Sequence, residues 1–190
     1  MKAVIMAGGE GSRLRPLPCD LPKPMARLCG RPVLEYILDL LGRHGITEAA
    51  LTMRYLPDRI VEHFPDSRYK DIELLFVEED QPLGTAGSVR NACGAHDDDV
   101  LVISGDALCD FDLTAAMAAH RQNGADVTIL GKRVDDPREY GLMIRDSLGQ
   151  ISAFVEKPAF SQAISDLANT GLYILSRRAL DMIPVDRSYD

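Results

Sequence analysis

The sequence predicts an α/β protein with a largely parallel sheet covered by helices on both faces. Three observations carry that reading. Residues 3–7, AVIMA, are a short apolar run that stops at Gly8, as a fully buried strand does. Comparable runs at 48–53, 72–77 and 99–104 alternate with helical patterns at 33–44, 58–64 and 113–122, and such alternation marks a parallel, doubly covered sheet. A chain of 190 residues suits one domain of this kind with a sizeable core, so residues 1–190 are expected to form one domain.

Each element has a local cause. In 33–44, Val33, Leu34, Ile37, Leu38, Leu40 and Leu41 fall largely on one helical face, and Gly45 follows as a C-terminal glycine. The run at 72–77 leads into Gly84-Thr85-Ala86-Gly87 and a short helix. The run at 99–104, DVLVIS, delivers Gly105-Asp106 to the same sheet edge, and ligands of open α/β sheets sit at the carboxyl ends of strands. Asp110 and Asp112 read as helix caps, Asp112 directly before the helix at 113–122. Beyond Gly124 come four strand-like runs, 125–132, 141–145, 151–157 and 169–175, with little helix between them. A short helix at 178–183 stops at Pro184.

Composition excludes several function classes. A net charge of −8 argues against a nucleic-acid surface, whose contacts rely on Lys and Arg. Cys19, Cys29, Cys93 and Cys109 match neither paired metal ligands nor a disulfide framework, so free thiols in a cytoplasmic protein are expected. No apolar run approaches the ~20 residues of a membrane span, and the opening run enters Gly8-Gly9 without a signal-peptide layout. His44, His63, His96 and His120 lie away from the candidate motifs and read as surface or structural residues.

The densest cluster of chemistry is MKAVIMAGGEGSRLRPLPCDLPKPM at residues 1–25. Gly8, Gly9 and Gly11 let backbone N–H groups approach a ligand, while Ser12, Arg13, Arg15 and Lys23 add a hydroxyl and positive charge. That mixture suits a polyphosphate; the plainer alternative is a glycine-rich turn with solvated arginines. No Gly-Lys pair completes a Walker A loop, and Leu14 stands where a dinucleotide fingerprint needs its third glycine. The pattern GGEGSRLRPL followed by LPKPM instead resembles the signature of the sugar-1-phosphate nucleotidyltransferases. Pro18 stands where that family usually has Thr, and Ala26-Arg27-Leu28 replaces its apolar-Pro-apolar step.

The resemblance implies a Rossmann-like mixed, mostly parallel sheet of the nucleotide-diphospho-sugar transferase type, and it runs through nearly all of the chain. It implies nucleotide contacts from Ala7, Gly8, Gly9, Gly11, Ser12 and Arg13, with Gln81, Gly84, Thr85 and Ala86 lining the base pocket. Asp106 matches the family's magnesium aspartate, the plainer alternative being a helix cap, and Mg²⁺ suits one or two carboxylates completed by phosphate oxygens and water. Glu139-Tyr140-Gly141, Glu156-Lys157-Pro158 and Asn169-Thr170-Gly171 resemble three sugar-side motifs. They imply a backbone contact at Gly141, sugar contacts from Glu156, Asn169 and Thr170, and a sugar-phosphate contact from Lys157. No residue is assigned to the family's second magnesium carboxylate, and the C-terminal part of the family domain is expected to be missing.

The implied reaction is attack of a sugar 1-phosphate on the α-phosphorus of a nucleoside triphosphate, with pyrophosphate leaving. Arg13, Lys23, Asp106 and Lys157 would carry it. PLGTAGSV, ISGDA and NTGLYIL are most similar to the mannose-1-phosphate guanylyltransferase branch, so GTP and mannose 1-phosphate lead. Glucose-1-phosphate uridylyl-, adenylyl- or thymidylyltransferases are the enzyme alternative, and a non-catalytic nucleotide-sugar-binding or regulatory module is the other. The expected partners are these two small molecules, with no nucleic acid and no membrane; a homo-oligomer is left open.

Overall fold

The computed structural model describes residues 1–9, 21–94, 97–159, 164–185 and 187–190. In chain order its elements are β1 (Lys2–Met6), β2 (Arg27–Leu28), β3 (Arg31–Pro32), α1 (Val33–Arg43), β4 (Glu48–Met53), α2 (Pro57–Val61), β5 (Arg68–Tyr69), β6 (Ile72–Glu78), α3 (Gly84–Cys93), β7 (Val100–Ser104), α4 (Leu113–Asn123), β8 (Val127–Arg133), β9 (Gly141–Arg145), β10 (Ile151–Glu156), β11 (Leu167–Leu175) and α5 (Arg177–Met182). They divide into two compact units: Met1–Thr128 with Tyr173–Asp190, and Ile129–Leu172.

In the first unit the strand order is β7-β1-β4-β6-β5. The first four strands run parallel, and β5 is antiparallel to β6. Val4 is in register with Ala50 and Val102, and Ile5 with Leu51 and Ile103. Val4, Ala50, Val100 and Val102 share a core with Val89, Ala92 and Cys93 of α3 and Leu180 of α5. Successive strand side chains point to opposite faces, so Ile5, Leu51, Leu101 and Ile103 point the other way, and all four are fully buried. Burial on both faces is why these strands read as unbroken apolar runs rather than alternating ones.

The helices follow the sequence closely. The stripe of α1 buries Leu34, Ile37, Leu38, Leu40 and Leu41. It ends at Gly45, whose φ of +74° is the left-handed conformation that favours glycine. Amide N–H groups of Gly45 and Ile46 return there to the carbonyls of Gly42 and Leu41. Asp112 caps α4 by accepting from the Ala115 amide at 2.9 Å; Asp110 caps no described helix. In the second unit β9 pairs antiparallel with β10 and β11, and β8 pairs with β11.

Two features depart from the sequence expectation. The two-residue strands β2, β3 and β5 carry no periodicity and were not anticipated. Helix α2 ends at Val61 rather than 64, and the chain then turns with Phe64 buried. Cys29, Cys93 and Cys109 are free thiols; Cys19 lies outside the described residues. Burial pushes the Cys93 thiol up to about 11, opposed by Lys2 and nearby arginines. Among the described residues no helix is long and apolar enough to cross a membrane.

The two-sided burial predicts a sharp contrast along the sheet. Ile103→Ala should destabilise the protein by about 2–5 kcal/mol, the usual cost of truncating a fully buried Ile. Leu75→Ala, at a side chain that is 50% exposed, should change stability by no more than about 0.5 kcal/mol. Urea unfolding of the two variants measures both.

Candidate functional site

Strands β1, β4, β6 and β7 run parallel, so their carboxyl ends reach the same edge of the first unit's sheet. A cavity of about 370 Å³ opens there, and its lining draws on all four strand exits. The β1 exit contributes Ala7, Gly8 and Gly9. Ala7 is anchored by its amide on the Thr52 carbonyl at 3.0 Å. The β7 exit contributes Ser104 and Asp106, with the Gly105 amide bonded to the Met6 carbonyl at 2.9 Å.

Lys23 and Asp106, 83 positions apart in sequence, meet across this cavity. The Lys23 ammonium donates to Asp106 Oδ2 at 3.3 Å, and the Ser104 hydroxyl donates to Asp106 Oδ1 at 2.6 Å. Gly105 makes the approach possible. A Cβ there would stand 2.8 Å from both the Met6 carbonyl oxygen and Pro24 Cγ, and Pro24 belongs to the short 3₁₀ turn Lys23–Met25. Partial burial pushes the Asp106 carboxyl up, but the Ser104 hydrogen bond and the Lys23 charge outweigh it and hold the pKa below its ordinary value. Among the described residues no three His, Cys, Asp or Glu side chains converge as a metal cage. A divalent ion at Asp106 would therefore need phosphate oxygens and water for most of its shell, which Mg²⁺ accepts.

The glycine-rich entry to α3 has a second tenant. Gly87 donates its amide to the Tyr189 carbonyl at 3.0 Å, Tyr189 donates to the Leu83 carbonyl at 2.8 Å, and Thr85 donates its amide to Asp190 Oδ1 at 2.6 Å. A Cβ on Gly84 would lie 2.6 Å from the Tyr189 carbonyl oxygen, and φ there is +72°. Gly84 and Gly87 thus admit the backbone of residues 187–190, a contact invisible in the local sequence. Gly84 and Thr85 line the cavity, whereas Ala86 does not. Gln81 is exposed and also outside the lining.

Glu79, Arg54, Ser88, Thr52 and Asp190 line the cavity without having been singled out. Glu79 is the conspicuous omission. It is 8% exposed, accepts the Ser88 hydroxyl on Oε2 at 3.0 Å, and leaves Oε1 buried with no hydrogen-bond partner among the described residues. In sequence it reads as half of a solvated Glu78-Glu79 pair at a strand end. Only the spacing of Ser88 on the next helix, nine positions on, hints at an inward carboxylate.

The sugar-side residues belong to the second unit. Gly141 is in register with Glu156, and a Cβ on Gly141 would meet Glu156 Oε2 at 2.8 Å. Lys157 follows with φ +40°, a strained setting for a non-glycine residue, and donates its amide to the Tyr140 carbonyl at 3.1 Å. Asn169 Oδ1 accepts the Gly171 amide at 2.9 Å, and the Thr170 hydroxyl donates to the Leu130 carbonyl at 2.6 Å. Gly11, Ser12, Arg13 and Arg15 lie outside the described residues. Three histidines have structural partners: His44 with Thr114, His63 with Glu35, and the buried His120 with Thr128. His96 lies outside the described residues.

This edge of parallel strands, with glycines, a lysine and a carboxylate around one cavity, is where open α/β sheets place their ligands. The nucleotidyl transferase family model matches residues 2–190, and the chain belongs to that family. It is 37% identical to a UTP--glucose-1-phosphate uridylyltransferase of Synechocystis, over all of this chain and 53% of that protein. It is equally 37% identical to a mannose-1-phosphate guanylyltransferase of Mycobacterium tuberculosis, over 97% of this chain and 51% of the relative. The chain thus spans about half the length of these curated relatives. The crystal structure of HddC from Yersinia pseudotuberculosis complexed with GMP-PN superposes with a TM-score of 0.84 at 32% identity, covering 98% of this chain and 81% of that one.

The Asp106 environment yields a titration prediction. Its carboxyl should titrate below the unperturbed value of about 3.9 in carbon-detected NMR, and Lys23→Met should move the midpoint upward. Because the folded-state pKa is the lower one, the stabilisation it provides is complete above the unfolded value and is lost as pH falls through the folded value. A midpoint unmoved by Lys23→Met would show that the ion pair does not set it.

Proposed function

We propose that this chain is catalytic sequence of a sugar-1-phosphate nucleotidyltransferase, working in the cytoplasm, with GTP and mannose 1-phosphate as leading substrates. The observation that carries the reading is the Lys23–Asp106–Ser104 cluster beside Ala7, Gly8 and Gly9 in one cavity. Membership of the family supports reading that cluster as phosphate- and metal-handling. The guanylyltransferase relative and the GMP-PN complex support guanine. The equally similar uridylyltransferase supports UTP and glucose 1-phosphate as the second reading.

In the reaction, an oxygen of the sugar 1-phosphate forms a bond to the α-phosphorus while the bond from that phosphorus to the β-phosphate bridging oxygen breaks, releasing pyrophosphate. Such a transfer needs positioning and charge neutralisation more than a protein nucleophile. Backbone N–H groups at Gly8 and Gly9 approach the phosphates without side chains in the way. Lys23 supplies positive charge to the triphosphate, and Asp106 is the residue that would hold Mg²⁺. That ion, when bound, neutralises phosphate charge and fixes its geometry. Arg13 is assigned to charge developing on the leaving pyrophosphate. Lys157 is assigned to the sugar phosphate, Gly141, Glu156, Asn169 and Thr170 to the sugar, and Gly84, Thr85 and Ala86 to the base side of the nucleotide.

Pyrophosphate release, assayed over pairs of nucleoside triphosphates and sugar 1-phosphates, tests the proposal. Turnover should be fastest with GTP and mannose 1-phosphate. Arg13→Ala should lower it by about 10²–10³-fold, the usual effect of removing a transition-state charge contact. Asp106→Asn should abolish it with little change in thermal stability. Nucleotide binding without turnover on any pair would favour a binding module instead.

A further inference from the structure

Resting on the reading of the first unit's cavity as the triphosphate site, we infer that Asp190 is a positioning residue. Its carboxylate caps α3 from outside the helix and holds the glycine-rich entry in its receptive shape before a nucleotide arrives. Helix α3 has no cap of its own. Its N-cap residue Leu83 makes no side-chain hydrogen bond, and its first turn carries no acidic residue. The first amides of a helix have no partner within it, and this helix opens on Gly84 at φ +72°, where glycine leaves the backbone least constrained. Asp190, 105 positions from Thr85, supplies the missing acceptor by taking the Thr85 amide on Oδ1 at 2.6 Å.

The neighbouring backbone turns this contact into a clamp. Tyr189 donates its amide to the Leu83 carbonyl at 2.8 Å and accepts the Gly87 amide at 3.0 Å, so residues on both sides of Thr85 are tied to the same segment. The Thr85 amide and hydroxyl hold the Asp190 carboxyl below its ordinary value, which keeps it an ionised acceptor. Leu83, Gly84, Thr85 and Asp190 all line the cavity, so the clamp lies on the cavity wall itself. A carboxylate there opposes the charge of a triphosphate, which argues against a direct phosphate contact. Asp190 is also exposed, so losing its side chain uncovers no core. Its use is to keep the entry shaped, because a receptive conformation populated only part of the time lowers apparent affinity by that fraction.

Calorimetric titration of the full chain with GTP, UTP and inorganic tripolyphosphate in the presence of Mg²⁺ tests this. In Asp190→Ala both nucleotides should bind about tenfold more weakly, as expected if the unclamped entry is receptive about a tenth of the time. Tripolyphosphate, which has no nucleoside to meet α3, should bind as it does to the unaltered protein. Asp190→Asn keeps an acceptor for the Thr85 amide and should restore most of the nucleotide affinity. A role in holding Mg²⁺ would instead leave Asp190→Asn as impaired as Asp190→Ala and weaken tripolyphosphate as well, and that result would overturn the inference. Unchanged GTP and UTP affinity in a folded Asp190→Ala protein would do the same. Hydrogen–deuterium exchange without nucleotide needs no variant: the Thr85 and Gly87 amides should exchange more slowly than unstructured amides, and exchange at the unstructured rate would contradict the clamp. If neither GTP nor UTP binds the unaltered protein, the triphosphate reading fails and this inference with it. If both bind it, and bind the variants equally well, only the role of Asp190 falls.

Discussion

The pairing of β1 between β4 and β7 is the constraint on which the rest depends. Val4 and Ile5 are in register with partners on both sides and fully buried on both faces, so neither the direction nor the register of the strand can shift without exposing core. A one-residue slip would turn each side chain to the opposite face. Parallel pairing then sends the ends of β1, β4, β6 and β7 to one edge. The polar residues that follow each strand are gathered by topology rather than by attraction to one another, and the cavity is a consequence of the sheet.

Close backbone approach is the second constraint. Gly105 lets the turn carrying Lys23 settle against β1 and β7, and Gly84 and Gly87 let residues 187–190 lie across the start of α3. In each case the absent side chain makes room for other parts of the chain. The cavity therefore has a wall, around Asp190, that comes from the far end of the described chain. Charge is distributed accordingly, with Lys23 and Arg54 facing Glu79, Asp106 and Asp190 around one space.

Much of this was legible in the sequence. Apolar runs ending in glycine gave β1 and β7, the stripe from Leu34 to Leu41 gave α1, and Asp112 before an apolar-spaced segment gave the cap of α4. Lys23 and Asp106 were legible as candidate site residues through their motifs, and the structure brings them to 3.3 Å of each other. Glu79 was not, because an acidic pair at a strand end looks solvated until the next helix is seen to bring Ser88 beneath it. The docking of residues 187–190 was hidden for a related reason. Glycines in a βα loop have many uses, and a partner about a hundred positions away leaves no local pattern. The strands β2, β3 and β5 are too short to show a period.

The central claim is that the carboxyl edge of the parallel sheet is a triphosphate site. Hydrogen–deuterium exchange of the chain with and without GTP and Mg²⁺ tests it most directly. The account predicts new protection at the amides of Gly8 and Gly9, at the start of α3, and at Gly105-Asp106, with the interior of the sheet unchanged. Protection confined to other segments, or none at these amides at saturating nucleotide, would contradict it.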